Sequence, residues 1–154
     1  MADTAAVKQA IVDLLKNDTD IQTLLGKDRQ GETPVYLGYE NILKKTWFPC
    51  VTVDEVSESG ETSGLSDGYD GSNVSEWYYA VIQVDCWAKT AEQRDSLLTQ
   101  VKKTILKGKL SLQSSGIIMI SEPTVTALDE PDARPPIFRR SIRYRVFYIL
   151  EAAV

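Results

Sequence analysis

The clearest pattern in the chain is the alternation over 77–88. Ala80, Ile82, Val84, Cys86 and Ala88 fall on one side; Tyr79, Val81, Gln83, Asp85 and Trp87 fall on the other. Aromatic and β-branched residues dominate, so the stretch predicts a strand. The period then changes. Leu97, Leu98, Val101 and Ile105 lie on one face of a helix over 91–106, with Glu92, Arg94, Asp95, Lys102 and Lys103 largely outside it. Thr90 and Gln93 make a Thr-x-x-Gln capping box at its start. A long strand feeding an amphipathic helix through a tight connection is therefore the core unit, and the small apolar side of the strand is a suitable bed for the helix.

The same criteria place the other elements. Val7, Ile11, Leu14 and Leu15 predict a helix over 5–16, capped by Asp3 or Thr4. Asn17-Asp-Thr-Asp20 breaks it and caps a short helix over 21–25, which Gly26 stops. Val35–Leu37 is a candidate short strand, and 38–46 is ambiguous. A strand begins near Pro49 and runs to Val56, because proline suits a strand start or an edge. The stretch 57–75 is rich in Gly, Ser and acid, and it joins two strands expected to be antiparallel neighbours. Hairpin loops ordinarily need about two to five residues, so a connection of this length is functional or disordered. Lys107-Gly-Lys109 ends the central helix. Strand follows over 116–121 and 124–128, kinked at Pro123, and 129–136 is a loop. The last strand covers 138–150, with Ile142, Tyr144, Val146 and Tyr148 on one face and Arg143, Arg145, Phe147 and Ile149 on the other. This order predicts an α+β fold: a mostly antiparallel sheet with two main helices packed on one face and a long inter-strand loop.

Length changes this picture little: 154 residues suit a single domain over 1–154, with 57–75 as a long acidic loop inside it. No apolar run approaches the ~18–20 residues of a membrane span. The opening Met-Ala-Asp-Thr has neither the basic nor the apolar region of a signal peptide, so no export signal and no membrane association are expected. Cys50 and Cys86 lack metal-ligand spacing and read as buried, reduced thiols.

Charge changes it more. The net charge of −5 hides an asymmetry. No Lys or Arg lies between Lys45 and Lys89, a gap that holds Asp54, Glu55, Glu58, Glu61, Asp67, Asp70, Glu76 and Asp85. The end of the chain is the reverse, with Arg134, Arg139, Arg140, Arg143 and Arg145 close together. Broad nucleic-acid binding needs a basic surface, which this acidic chain does not offer.

Candidate chemistry is sparse. Histidine is absent, which removes the commonest general base and metal ligand. Asp67-Gly-Tyr-Asp70-Gly-Ser-Asn73 departs from calcium-loop spacing and is flanked by strands. The glycines of 60–71 form no phosphate-binding motif, and their acidic neighbours repel phosphate. Serine, lysine and tyrosine stand at no recognisable catalytic motif. No catalytic residue, cofactor site or metal site is assigned. The arginines of the last strand have two main readings: a solvated strand face, or a subunit interface. Arg143 and Arg145 share their face with apolar Phe147 and Ile149, which favours the interface, and direct DNA contact ranks below both. Trp77, Tyr79 and Trp87 project from the face opposite Ala80–Ala88, covered either by a second layer of this chain or by another subunit. The interface candidates are Arg139, Arg140, Arg143, Arg145, Phe147, Trp77 and Trp87, with Asp67 and Asp70 as acidic counterparts.

Four stretches together resemble the tail terminator, or tail completion, proteins of long-tailed bacteriophages and related prophages. The first is Ile11-Val-Asp-Leu-Leu through Ile21-Gln-Thr-Leu-Leu-Gly26, then Val35-Tyr36. The others are Phe48-Pro-Cys-Val-Thr-Val53, Val81-Ile-Gln-Val-Asp-Cys-Trp-Ala-Lys-Thr90, and Arg140-Ser-Ile-Arg-Tyr-Arg-Val-Phe-Tyr148. The resemblance implies a small α+β structural protein of the virion, with no cofactor and no catalysis. It implies a homo-oligomer, a hexameric ring that caps the tail tube, stops its growth and docks to the head connector at the neck. The implied partners are the tail-tube protein and a neck protein, and DNA passes through the lumen without specific binding. The implied location is the virion tail at the head–tail neck, reached from the host cytoplasm during assembly. The alternatives within the structural class are a tail-tube subunit and a neck or head-completion protein. Outside it stand a small cytoplasmic enzyme and a ligand-binding domain.

Overall fold

The computed structural model describes residues 3–38, 49–61, 68–69, 73–130, 132 and 136–153. Helix α1 is Thr4–Lys16, and Asp3 caps it by accepting the Ala6 N–H at 2.7 Å. Helix α2 is Thr19–Leu25, capped by Asp18 and stopped by Gly26 at φ 70°, a backbone angle that favours glycine. Helix α3 is Ala91–Lys107. At its start Thr90 Oγ1 accepts the Gln93 N–H at 3.1 Å, while Gln93 Oε1 reaches back to the Lys89 N–H at 3.2 Å. The strands are β1 (Val35–Leu37), β2 (Cys50–Glu61), β3 (Gly68–Tyr69), β4 (Asn73–Ala88), β5 (Ile117–Ala127) and β6 (Phe138–Ala153). They form one sheet in the order β1-β2-β4-β6-β5, with β3 pairing β4 alongside. Among the described strands, only the β1–β2 pair is parallel.

The strand–helix unit organises this architecture as the alternation predicts. Val7, Ile11, Leu15, Ile21, Leu25, Leu97, Val101 and Ile105 from the three helices pack on one sheet face. That face is Val51 and Val53 of β2, Ala80–Cys86 at alternate positions of β4, and Ile142–Tyr148 at alternate positions of β6. Both main helices therefore cover one face of a mostly antiparallel α+β sheet. Small residues on β4 let α3 come close, and the larger Ile142, Tyr144 and Val146 fill the space beside it.

Four details refine the sequence expectations or depart from them. A further short helix, α4 (Lys109–Gln113), follows α3 directly and buries Leu112. A Cβ on the intervening Gly108 would collide with the Leu14 side chain, so glycine lets the α3–α4 junction press against α1. Second, the two stretches 116–121 and 124–128 continue into one another as expected, as β5; Pro123, which cannot donate to the ladder, sits where the register slips between Ser121 and Thr124. Third, Arg94 is buried rather than on the wet side of α3.

The fourth concerns 57–75. The hairpin does not stop at Val56: β2 runs on to Glu61, paired with Trp77, and β4 already begins at Asn73. Beyond β2, Gly68 and Tyr69 pair with Ser75 and Val74. Residues 62–67 and 70–72 of the expected loop lie outside the described residues, as do 39–46 of the ambiguous segment. The strand extension carries no alternation because it has no fully buried face. Glu55 to Gly60 are exposed at every position and Ser75 to Tyr79 are half-buried, whereas Ala80 and 82–88 are buried. Backbone pairing holds it instead. β4 and β6 match residue for residue from Asn73↔Ala153 to Ala88↔Phe138, a ribbon about 50 Å long at ~3.4 Å per residue.

Candidate subunit interface

The sheet face opposite the helices carries most of the interface candidates. Trp77, Tyr79, Gln83, Asp85 and Trp87 of β4 stand beside Ile149, Phe147, Arg143, Ser141 and Arg139 of β6. The side chains are tied to one another. Arg139 donates to Asp85 Oδ2 at 3.0 Å and lies 4.3 Å over the Trp87 ring. Gln83 Nε2 donates to both Asp85 oxygens, at 3.0 and 3.1 Å, and its Oε1 accepts from Arg143 Nε at 3.0 Å. Arg145 lies 4.7 Å over Tyr79, and Phe147 packs on Tyr79 at 4.6 Å and edge-on to Trp77 at 4.9 Å. Asp85 is 1% exposed, and such a buried carboxylate is tolerated because charged and amide donors surround it.

This arrangement sorts the candidates. Trp87 is buried within the chain, donating to Thr52 Oγ1 at 3.0 Å and packing with Tyr36 and Cys50. Phe147 is buried between its aromatic neighbours. Trp77 is half-buried, and Arg143 and Arg145 are exposed. Arg140 does not share the face of Arg139. It pairs with Cys86 on the helix side and donates to Asp129 Oδ2 at 2.6 Å. Asp129 also accepts from Arg94 at 2.8 Å and from the Arg139 N–H at 2.8 Å, which pins the start of the β5–β6 connection to α3. Burial alone would raise the Asp129 carboxyl, but the hydrogen bonds from Arg140, the Arg139 backbone and Arg94 hold it below the usual carboxylate range. Arg139 and Arg140 thus have carboxylate partners inside the chain. Asp67 and Asp70 lie outside the described residues. Both cysteines are fully buried and free, and burial pushes both thiols well above their ordinary range.

A second surface is absent from the sequence candidates. Between α3, α4 and β5 lies a hollow of about 170 Å³ lined by Ile105, Leu106, Ile120, Pro123 and Tyr144, with Lys102 and Lys109 beside them. A neighbouring hollow of about 190 Å³ continues it along Ile117–Ser121. Leu106, Ile118 and Met119 are exposed here, and Leu110 of α4 is 78% exposed. β5 is an outer strand of the described sheet, so its far backbone edge faces no described strand. One signal pointed this way: Ile117-Ile-Met-Ile120 is an unbroken apolar run on a strand that has helices on one side only. On the opposite sheet edge, β1 pairs with β2 only at Val51–Val53, so Asp54–Glu61 also meets no described outer strand. Val56 sits in a register slip there, 45% exposed between Glu55 and Ser57.

No family model matches the chain, and no curated protein matches it. Among solved structures, a chain of the virion of a native gene transfer agent particle is similar at a TM-score of 0.47 and 14% identity. The alignment covers 97% of this chain and 98% of that one.

Proposed function

We propose that this chain is a structural virion subunit that assembles into a closed ring at the end of a phage-type tail tube, acting as a tail terminator and not as an enzyme. One observation carries the proposal. The two outer edges of the sheet are unlike: one is an exposed acidic strand extension, the other an apolar edge flanked by lysines. Unlike edges on opposite sides of one domain suit a head-to-tail contact, which closes into a ring or continues as a filament. The sequence resemblance supports the same reading, since Val81–Thr90 forms the β4–α3 junction and Arg140–Tyr148 lies within β6. Capping a tube, halting its growth and meeting the neck are then what the two flat faces of the ring do, and DNA passes through its opening.

Light scattering after size exclusion, with electron microscopy of the same fractions, tests this. The expected result is one closed oligomer of fixed mass whose images are rings. Open filaments would instead assign a tube subunit, and a monomer at every concentration would overturn the proposal. The Arg143→Glu/Arg145→Glu pair tests the part played by the aromatic face. Both side chains are exposed, but Arg143 also donates to Gln83 beside the buried Asp85, so a thermal melt of the variant checks that it folds. Weakened rings would place that face in a contact, and unchanged rings would leave it as a solvated surface.

A further inference from the structure

We infer that the β2 edge of one copy, with Val56 as an apolar knob between Glu55 and Glu58, docks into the lysine-flanked hollow of β5, α3 and α4 on the next copy. The inference rests on the ring proposal and names the two surfaces that meet. Three observations lead to it. The first is charge. Glu55 and Glu58 are exposed on a segment that carries no positive residue from Lys45 to Lys89, and Lys102 and Lys109 are exposed beside the hollow. Thr4 Oγ1 donates to one oxygen of Glu58 at 2.5 Å, which orients that carboxylate without neutralising it.

The second is shape. The hollow is apolar within and charged at its margin; the β2 edge is apolar at Val56 and charged on either side. The register slip between Glu55 and Ser57 inserts Val56 as the extra residue of a bulge, and bulges re-aim a side chain out of the regular alternation. The third is handedness of the charges. Glu55 and Glu58 pair with Ile82 and Ala80, whose side chains lie on the helix face, and Lys102 and Lys109 belong to the helices on that same face. Copies placed side by side with their helices on the same side therefore bring unlike charges together. The β2 extension beyond its pairing with β1 and the outer strand β5 lie on opposite sides of the sheet, so one copy can give its β2 extension to one neighbour and its hollow to another.

A charge-swap experiment tests the inference. One variant carries Lys102→Glu and Lys109→Glu; the other carries Glu55→Lys and Glu58→Lys. All four positions are exposed, and thermal melts of each variant check folding. In the first variant both surfaces are acidic, and in the second both are basic. Each alone should assemble only at a concentration at least about tenfold higher than the wild type, an effect that shrinks in high salt. An equimolar mixture should regain the wild-type oligomer, because the acidic edge of one variant fits the basic hollow of the other and the reverse pair fits equally. If each variant alone assembles like the wild type, or if the mixture gains nothing, the docking is wrong while the ring proposal stands. A monomeric wild type would overturn both.

Discussion

Replacing Asp129 by alanine removes the acceptor that joins Arg94 on α3, Arg140 on β6 and the Arg139 backbone. Hydrogen bonds to charged groups contribute about 1.5–3 kcal/mol when buried, and exposed pairs about 0–1 kcal/mol. The Asp129 side chain is 24% exposed, and Arg94 keeps Asp95 at 2.9 Å, so the loss falls between those limits. Arg140 keeps the Arg139 carbonyl at 3.2 Å, and the Arg139 N–H loses the Asp129 carboxylate. The expected cost is about 2 kcal/mol, or a fall in Tm of roughly 4–8 °C for a chain of this size. Urea unfolding of wild type and variant at neutral pH measures it. The pH dependence is a second check. The Asp129 carboxyl lies below its ordinary value in the folded state, so its contribution is present above the unfolded pKa of about 3.9. It is lost as pH falls through the lower folded value. The two proteins should therefore converge as acid is added. A neutral-pH difference within about 0.5 kcal/mol, the scatter of ordinary surface substitutions, would refute the argument. So would a gap that stays constant down to the lowest pH at which both remain folded.

Other consequences concern the helix-bearing face and the thiols. Thr90→Ala removes the side-chain acceptor of the Gln93 N–H and should cost about 1 kcal/mol in the same urea assay, whereas Thr99→Ala on the exposed side of α3 should change little. Leu97→Ala opens a cavity at a position 1% exposed in the core and should cost about 2–4 kcal/mol. Cys50 and Cys86 should resist a bulky thiol reagent in native protein and label promptly in denaturant, since both are fully buried and held protonated. Fast native labelling of both would contradict that burial.

Local chemistry is legible in this chain wherever one side of an element meets the core. The alternation of Ala80–Ala88, the stripe of Leu97, Val101 and Ile105, and the caps at Asp3, Asp18 and Thr90 all reappear in the structure. Each depends on neighbours a few residues away or on a single buried face, and both leave a period in the sequence. Other features depend on partners far along the chain and leave no period. Arg94 reads as a wet helical residue until Asp129 and Phe138 are brought against it. Arg139 and Arg140 look like one basic cluster, yet strand geometry sends them to opposite faces, each to its own carboxylate. The extension of β2 to Glu61 and of β4 back to Asn73 is invisible to hydrophobic patterning, because cross-strand backbone bonds and not burial hold it. The hollow beside β5 likewise exists only once α3, α4 and an outer strand meet. Sequence alone determined the apolar faces of the long strands and main helices; tertiary structure decided which of the remaining charges and apolar groups find partners inside the chain and which stay exposed for another molecule.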